Sequence, residues 1–125
     1  VPLIKTAQRK REGEQKPTRY YSKRQESAVA KAVGGSVTKN SGATMFQKGD
    51  VSSDMFLIEC KVKTAPSSQM TIHKEWLEKN EREALFMGKP YSALAFSFGP
   101  GEDNHYVIDE DLFLKLCEVL SNEPS

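Results

Sequence analysis

The nine residues MFLIECKVK, Met55 to Lys63, constrain this chain more than any other stretch. Side chains alternate between the two faces of an extended strand. Phe56, Ile58, Cys60 and Val62 therefore share one face, and Met55, Leu57, Glu59, Lys61 and Lys63 share the other. The first face is apolar throughout and asks for a core. The second begins apolar and turns charged, so one strand offers both burial and a paired acid and base. Asp50 opens the segment just before it, and Ser52, Ser53 and Asp54 read as the turn of a β-hairpin. Such a hairpin brings the Asp50 carboxylate near that of Glu59. Asp54 is a rival acid, but an Asp in a turn commonly serves the backbone.

The segments on either side supply the layers. SKRQESAVAKAVGG places Ala28, Val29, Ala32 and Val33 at helical spacing, with Ser22 as the expected N-cap and Gly34-Gly35 as the stop. Glu26 then falls near the inward face. SVTK reads as a short strand, and NSGATMFQKG as a polar loop. TIHKEWLEKNEREALFMGK reads as a helix with Trp76, Leu77, Ala84 and Leu85 apolar and Gly88 ending it. PYSALAFSFG is a buried strand, HYVI a further strand, and DEDLFLKLCEVL a final helix capped by Asp109 with acids in its first turn. The order predicts an α/β fold, a central mixed β-sheet flanked by helices. A chain of 125 residues fits one domain, placed here at 22–125 behind a flexible basic arm at 1–21.

Charge is unevenly shared. Residues 1–24 hold eight bases and two acids, net +6, while the remaining 101 residues carry net −5. A basic arm on an acidic body suits a polyanion such as nucleic acid. Cys60 and Cys117 form no CxxC pair, so a zinc site of ordinary spacing is not expected, and both read as reduced thiols in a core. His73 and His105 show no ligand spacing. Trp76 reads as a core or dimer anchor. With no apolar run of membrane-spanning length and no secretory leader, the expectation is an intracellular protein with no membrane partner.

The chemistry follows from the acids. Two adjacent carboxylates repel unless a cation or proton lies between them. Their hard oxygens suit Mg²⁺, with Mn²⁺ as a substitute. Such an ion polarises a phosphoryl oxygen and activates water. Lys61 would stabilise the negative charge that develops. Taken without Asp50, Glu59 and Lys61 read better as an exposed ion pair at a strand end.

Gly49-Asp50 followed by Ile58-Glu59-Cys60-Lys61 resembles the PD-(D/E)XK nuclease superfamily, with Gly49 where Pro is usual. Over roughly residues 22–98 the arrangement looks most like the archaeal-type Holliday junction resolvases and their phage relatives. The resemblance implies a restriction-endonuclease-like core of order α-β-β-β-α-β-β-α. It implies a Mg²⁺ ion on Asp50 and Glu59, with Glu26 as helper from the first helix. It makes Lys61 the catalytic lysine and Ser41 a residue of catalysis or of phosphate handling. It also implies a homodimer that cuts opposed strands of a four-way junction, in a prokaryotic or phage-infected cell, with no small-molecule cofactor. Arg9, Lys10, Arg11, Arg19, Lys23, Arg24, Lys39, Ser41, Lys63 and Lys74 are the expected DNA contacts. The rival readings are a restriction-type or repair-type nuclease of the same superfamily and a non-catalytic nucleic-acid-binding domain.

Overall fold

The computed structural model describes residues 17–38 and 50–124. Helix α1 spans Thr18–Val33 and leads into strand β1, Ser36–Val37. Strands β2, Val51–Ser52, and β3, Phe56–Val62, form the hairpin. Helix α2, Lys74–Phe86, is followed by β4, Tyr91–Ser97, then β5, His105–Val107, and helix α3, Glu110–Ser121. The five strands lie side by side in chain order in one mixed sheet. Neighbours run antiparallel except β3 and β4, which are parallel over seven residue pairs from Phe56 opposite Tyr91 to Val62 opposite Ser97. A parallel pair needs a crossover connection, and α2 is that connection.

Helix α1 begins at Thr18 after an extended Pro17, so it starts four residues ahead of the expected cap at Ser22. Tyr20 and Tyr21 are thus helical, their rings meeting edge to face at 5.3 Å. A proline just ahead of the first turn sacrifices no helical hydrogen bond, because the first N–H groups have no partner within the helix. The helix stops where expected, at Gly34, which takes φ 69° and returns its N–H to the Ala30 carbonyl. Gly35 then passes so close to the Ser52 carbonyl that a side chain would collide with it. The buried face of α1 is Gln25, Val29 and Ala30, with Val33 partly covered, while Ala28 and Ala32 are exposed. The helix is rotated by about one residue from its expected docking.

The core lies mainly between α1 and the sheet. Val29, Ala30, Val51, Ile58, Ala93 and Ala95 form one cluster, with Phe56, Cys60 and Ile108 packed against it. On the opposite face, Leu57 and Leu94 are fully buried beside α2. Asn80 of α2 is also buried and donates to the carbonyls of Leu57 and Ala93 at 3.2 and 3.0 Å, tying the helix to both parallel strands. Leu85, expected inside, is 81% exposed. The turn of α2 that carries Ala84 inward points Leu85 away from the sheet. Cys117 is exposed as well, against the expectation of two core thiols, because it rides an outward face of α3. Helix α3 does begin as expected, with Asp109 Oδ1 accepting from the Leu112 N–H at 2.8 Å. No helix among the described residues is long and apolar enough to cross a membrane.

Candidate active site

The hairpin register determines where the acids fall. Val51 pairs with Ile58 and Ser52 with Leu57, which carries Asp50 alongside Glu59 and Cys60. The Asp50 Oδ2 accepts the Cys60 backbone N–H at 2.7 Å, and the Asp50 carbonyl accepts from Thr38. Asp50 is therefore held at both its backbone and its side chain. Two residues beyond Glu59 on the same face, Lys61 places its Nζ 3.8 Å from Glu59 Oε1. The Glu59 side chain is 12% exposed, and its second oxygen, Oε2, is buried with no hydrogen-bond partner. A buried carboxylate oxygen without a donor is costly, and a cation or a proton is what it lacks.

Helix α2 contributes more to this pocket than its sequence suggested. Trp76, Lys79 and Glu83 follow at spacings of three and four, one face of a helix. The Trp76 ring lies beneath Lys61, with Nζ 4.3 Å from the ring centroid. His73 packs edge-on against that ring at 4.5 Å. Lys79 and Glu83 pair at 3.8 Å. From the other side of the sheet, Gln25 donates to the Lys61 carbonyl at 2.7 Å and to Asn104 Oδ1 at 3.0 Å. Lys61 is thus fixed by its backbone from α1 and by its side chain from α2. None of Gln25, Trp76, Lys79 or Glu83 was singled out as a site residue by the strand motif. The only trace of the α2 group in the sequence is its helical spacing.

Electrostatics mark the same place. Burial is the first cause that raises the carboxyl pKa of Asp50, Glu59, Glu26 and Glu83 above the ordinary range. Asp50 adds to the rise at the other three. Lys61 and Lys79 oppose the rise at Asp50 and Glu59, as does the Cys60 N–H at Asp50. Lys23 and Arg19 oppose it at Glu26. The Cys60 thiol is pushed far above its ordinary value by burial and by the acids around it, so it stays protonated. Asp50 is thus the carboxyl to which the other three couple, and partial burial with charge coupling of this kind is found at functional sites and in structural ion-pair networks alike.

The expected residues are only partly brought together. Asp50, Glu59 and Lys61 converge. Glu26 feels Asp50 and sits beside Lys23 and Arg19, yet among the described residues no three His, Cys, Asp or Glu side chains form a group able to hold a metal ion. Arg24 reaches toward Gly101, and Lys74 faces the flank of α2 that meets β4 and β5, away from the acids. Lys63 is half-buried just past the end of β3. Asp54 is exposed in the turn, as a backbone-serving acid should be. Trp76 is no core anchor but a half-buried floor under Lys61. Arg9, Lys10, Arg11, Lys39 and Ser41 lie outside the described residues. Comparison with family models, with curated proteins and with solved structures finds no match to this chain.

Proposed function

We propose that this protein is a Mg²⁺-dependent DNA endonuclease of the PD-(D/E)XK kind that acts on four-way junctions as a homodimer. The observation that carries this reading is the hairpin register, which sets Asp50 beside Glu59 with Lys61 on the same strand face. The donor set fits the ion. Mg²⁺ binds through one or two protein carboxylates and completes its shell with water and substrate phosphate, so a two-acid site does not need a third close ligand. The orphaned Glu59 Oε2 and the raised carboxyls of Asp50 and Glu59 describe a site short of positive charge. Asp50 and Glu59 would hold the metal, with Glu26 outside them. When bound, the ion would supply Lewis-acid polarisation of a phosphoryl oxygen and a more acidic water.

The chain's own groups do the rest. Lys61 presents an ammonium beside the acids, where it can meet a phosphate oxygen as negative charge builds there. Trp76 and the Gln25 amide restrict its position, and pre-positioning of a charged group is where much of an enzyme's rate comes from. Arg19 and Lys23 on α1 border the acids near Glu26 and suit the phosphates flanking the cut. Contacts of this type read backbone geometry and not base edges, in keeping with a substrate chosen by shape.

A labelled four-way junction and a linear duplex of the same sequence, each with and without Mg²⁺, test the proposal. Wild type should cut the junction in paired nicks, need the ion, and leave the duplex largely intact. Glu59→Gln and Lys61→Ala should each lower the cleavage rate by about a thousandfold or more while leaving junction binding in place. Junction binding without cleavage by the wild type, in Mg²⁺ or Mn²⁺, would leave a binding domain. Equal cutting of the duplex would leave a nuclease of another specificity.

A further inference from the structure

Helix α2 holds charged residues of two kinds. Lys74, Glu75, Glu78, Glu81 and Arg82 are exposed, as on an ordinary solvated helix face, while Lys79 and Glu83 are half-buried. Two contacts fix how the helix lies over β3. Trp76 sits under the Lys61 ammonium, and Asn80 donates to the Leu57 carbonyl. The helical turn 76–80 therefore spans the strand from Lys61 back to Leu57, and Glu59 lies midway between those two on the same strand face. Lys79 belongs to that turn, which brings it to the rim of the acid pair at the level of Glu59. Glu83, one turn further along the same side, places Oε1 3.8 Å from the Lys79 Nζ. An exposed pair at this spacing joins two solvated groups. Here the acid is tucked in, its side chain 16% exposed, and the lysine, at 42%, keeps its access to solvent.

We infer that Lys79 is a second phosphate-binding residue of this pocket and that Glu83 is the positioning residue that holds it in place until nucleic acid arrives. The inference rests on the reading of the pocket as one that takes a DNA phosphate. A phosphodiester that approaches Asp50 and Glu59 meets their negative charge, and Lys61 is already paired with one of them. A second ammonium at the level of Glu59 supplies what the approach lacks. The Lys61–Glu59 and Lys79–Glu83 contacts are both 3.8 Å, longer than the about 2.7–2.9 Å of a full charge-assisted hydrogen bond. A phosphate oxygen can therefore draw the Lys79 ammonium from its carboxylate at small cost. The charges agree with this placement. Burial raises the carboxyls of Asp50 and Glu59, and Lys79 joins Lys61 in opposing that rise at both. Glu83 is itself raised by burial, so it competes less well for the ammonium than a phosphodiester, which stays ionised.

Binding of a labelled four-way junction by the full chain, followed by fluorescence anisotropy in metal-free buffer over a range of KCl concentrations, tests the assignment without any cutting. Lys79→Met should weaken binding by about tenfold and lower the slope of log affinity against log salt by about one, the signature of one lost phosphate contact. Lys79→Arg should restore the wild-type slope. Glu83→Gln should act in the opposite direction and tighten binding by about threefold or more, because the ammonium no longer has a competing carboxylate. That gain should disappear in the Lys79→Met background, where a Glu83 that merely repelled DNA would give the same gain. An unchanged salt slope in Lys79→Met, an equal gain from Glu83→Gln in both backgrounds, or a wild type that does not bind the junction would each overturn the assignment. Glu83→Gln on its own, failing to tighten binding, would do so even if Lys79→Met folded poorly. The two readings part cleanly: the expected binding cycle without Mg²⁺-dependent cleavage removes the nuclease reading alone, and cleavage with an unchanged Lys79→Met slope removes this one alone.

Discussion

The two faces of β3 make opposite demands on the same backbone. Toward α1, Ile58 is 2% exposed and packs among Val29, Val51, Ala93 and Ala95, where nothing but shape and apolarity is needed. Toward α2, Leu57 is buried just as fully, yet its neighbours two and four residues on are Glu59 and Lys61. One face is finished; the other keeps a carboxylate oxygen without a donor and several carboxyls that resist ionising. The contrast shows how a small domain can hold a strained site. The strand is secured by its apolar face and by the seven-residue parallel ladder to β4, so its second face is free to carry groups that cost stability.

The sharpest way to break that contrast is to weaken the apolar face. Ile58→Ala removes a buried side chain in the centre of the cluster and should lower unfolding free energy by about 2–5 kcal/mol. Chemical denaturation would read the loss, while cleavage below the new melting point should persist. If Ile58→Ala instead abolished cleavage in a fully folded protein, the two faces would not be separable.

Of intermediate size is the effect of the floor under Lys61. A cation over an aromatic ring is worth about 0.5–2 kcal/mol. Trp76→Leu should therefore lower the cleavage rate by about tenfold with little change in substrate affinity, and Trp76→Phe should recover part of it. Steady-state kinetics on the junction separate the two parameters. A loss confined to affinity would place Trp76 against DNA and not under Lys61.

The smallest expected effect is on stability against pH. Burial raises Asp50, Glu59, Glu26 and Glu83 in the folded state. The folded chain therefore binds protons that the unfolded chain releases, and stability falls as pH rises through the raised values. In metal-free buffer the melting temperature should be higher near pH 5 than near pH 7.5, by a few degrees. Glu59→Gln should flatten that difference and raise the neutral-pH melting point. Adding Mg²⁺ at pH 7.5 should stabilise wild type by mass action and the variant less. A melting point that climbs steadily from pH 5 to 7.5 would contradict the assignment.

Much of the site was legible because strand alternation is a local rule. Glu59 and Lys61 share a face by parity, and Asp50 reaches them through a hairpin that turns at Ser53 and Asp54, while Ser52, expected in the turn, lies in β2 opposite Leu57. The order of elements and the stop at Gly34 were readable for the same reason. What escaped depends on how helices dock. The azimuth of α1 buries Gln25 in place of its neighbours, and nothing local reports that rotation. Trp76, Lys79 and Glu83 reach the acids only because α2 crosses back over β3. Leu85 and Cys117 look like core residues by type alone. Their exposure is decided by which side of each helix meets the sheet.

Trp76 has one further consequence. It is the only tryptophan in the chain, and it stands 4.3 Å from the Lys61 ammonium. The whole indole emission of this protein thus originates at its acidic pocket. Any ion, phosphate or proton that shifts Lys61 should change that light, which gives the molecule an unlabelled optical gauge of its own site.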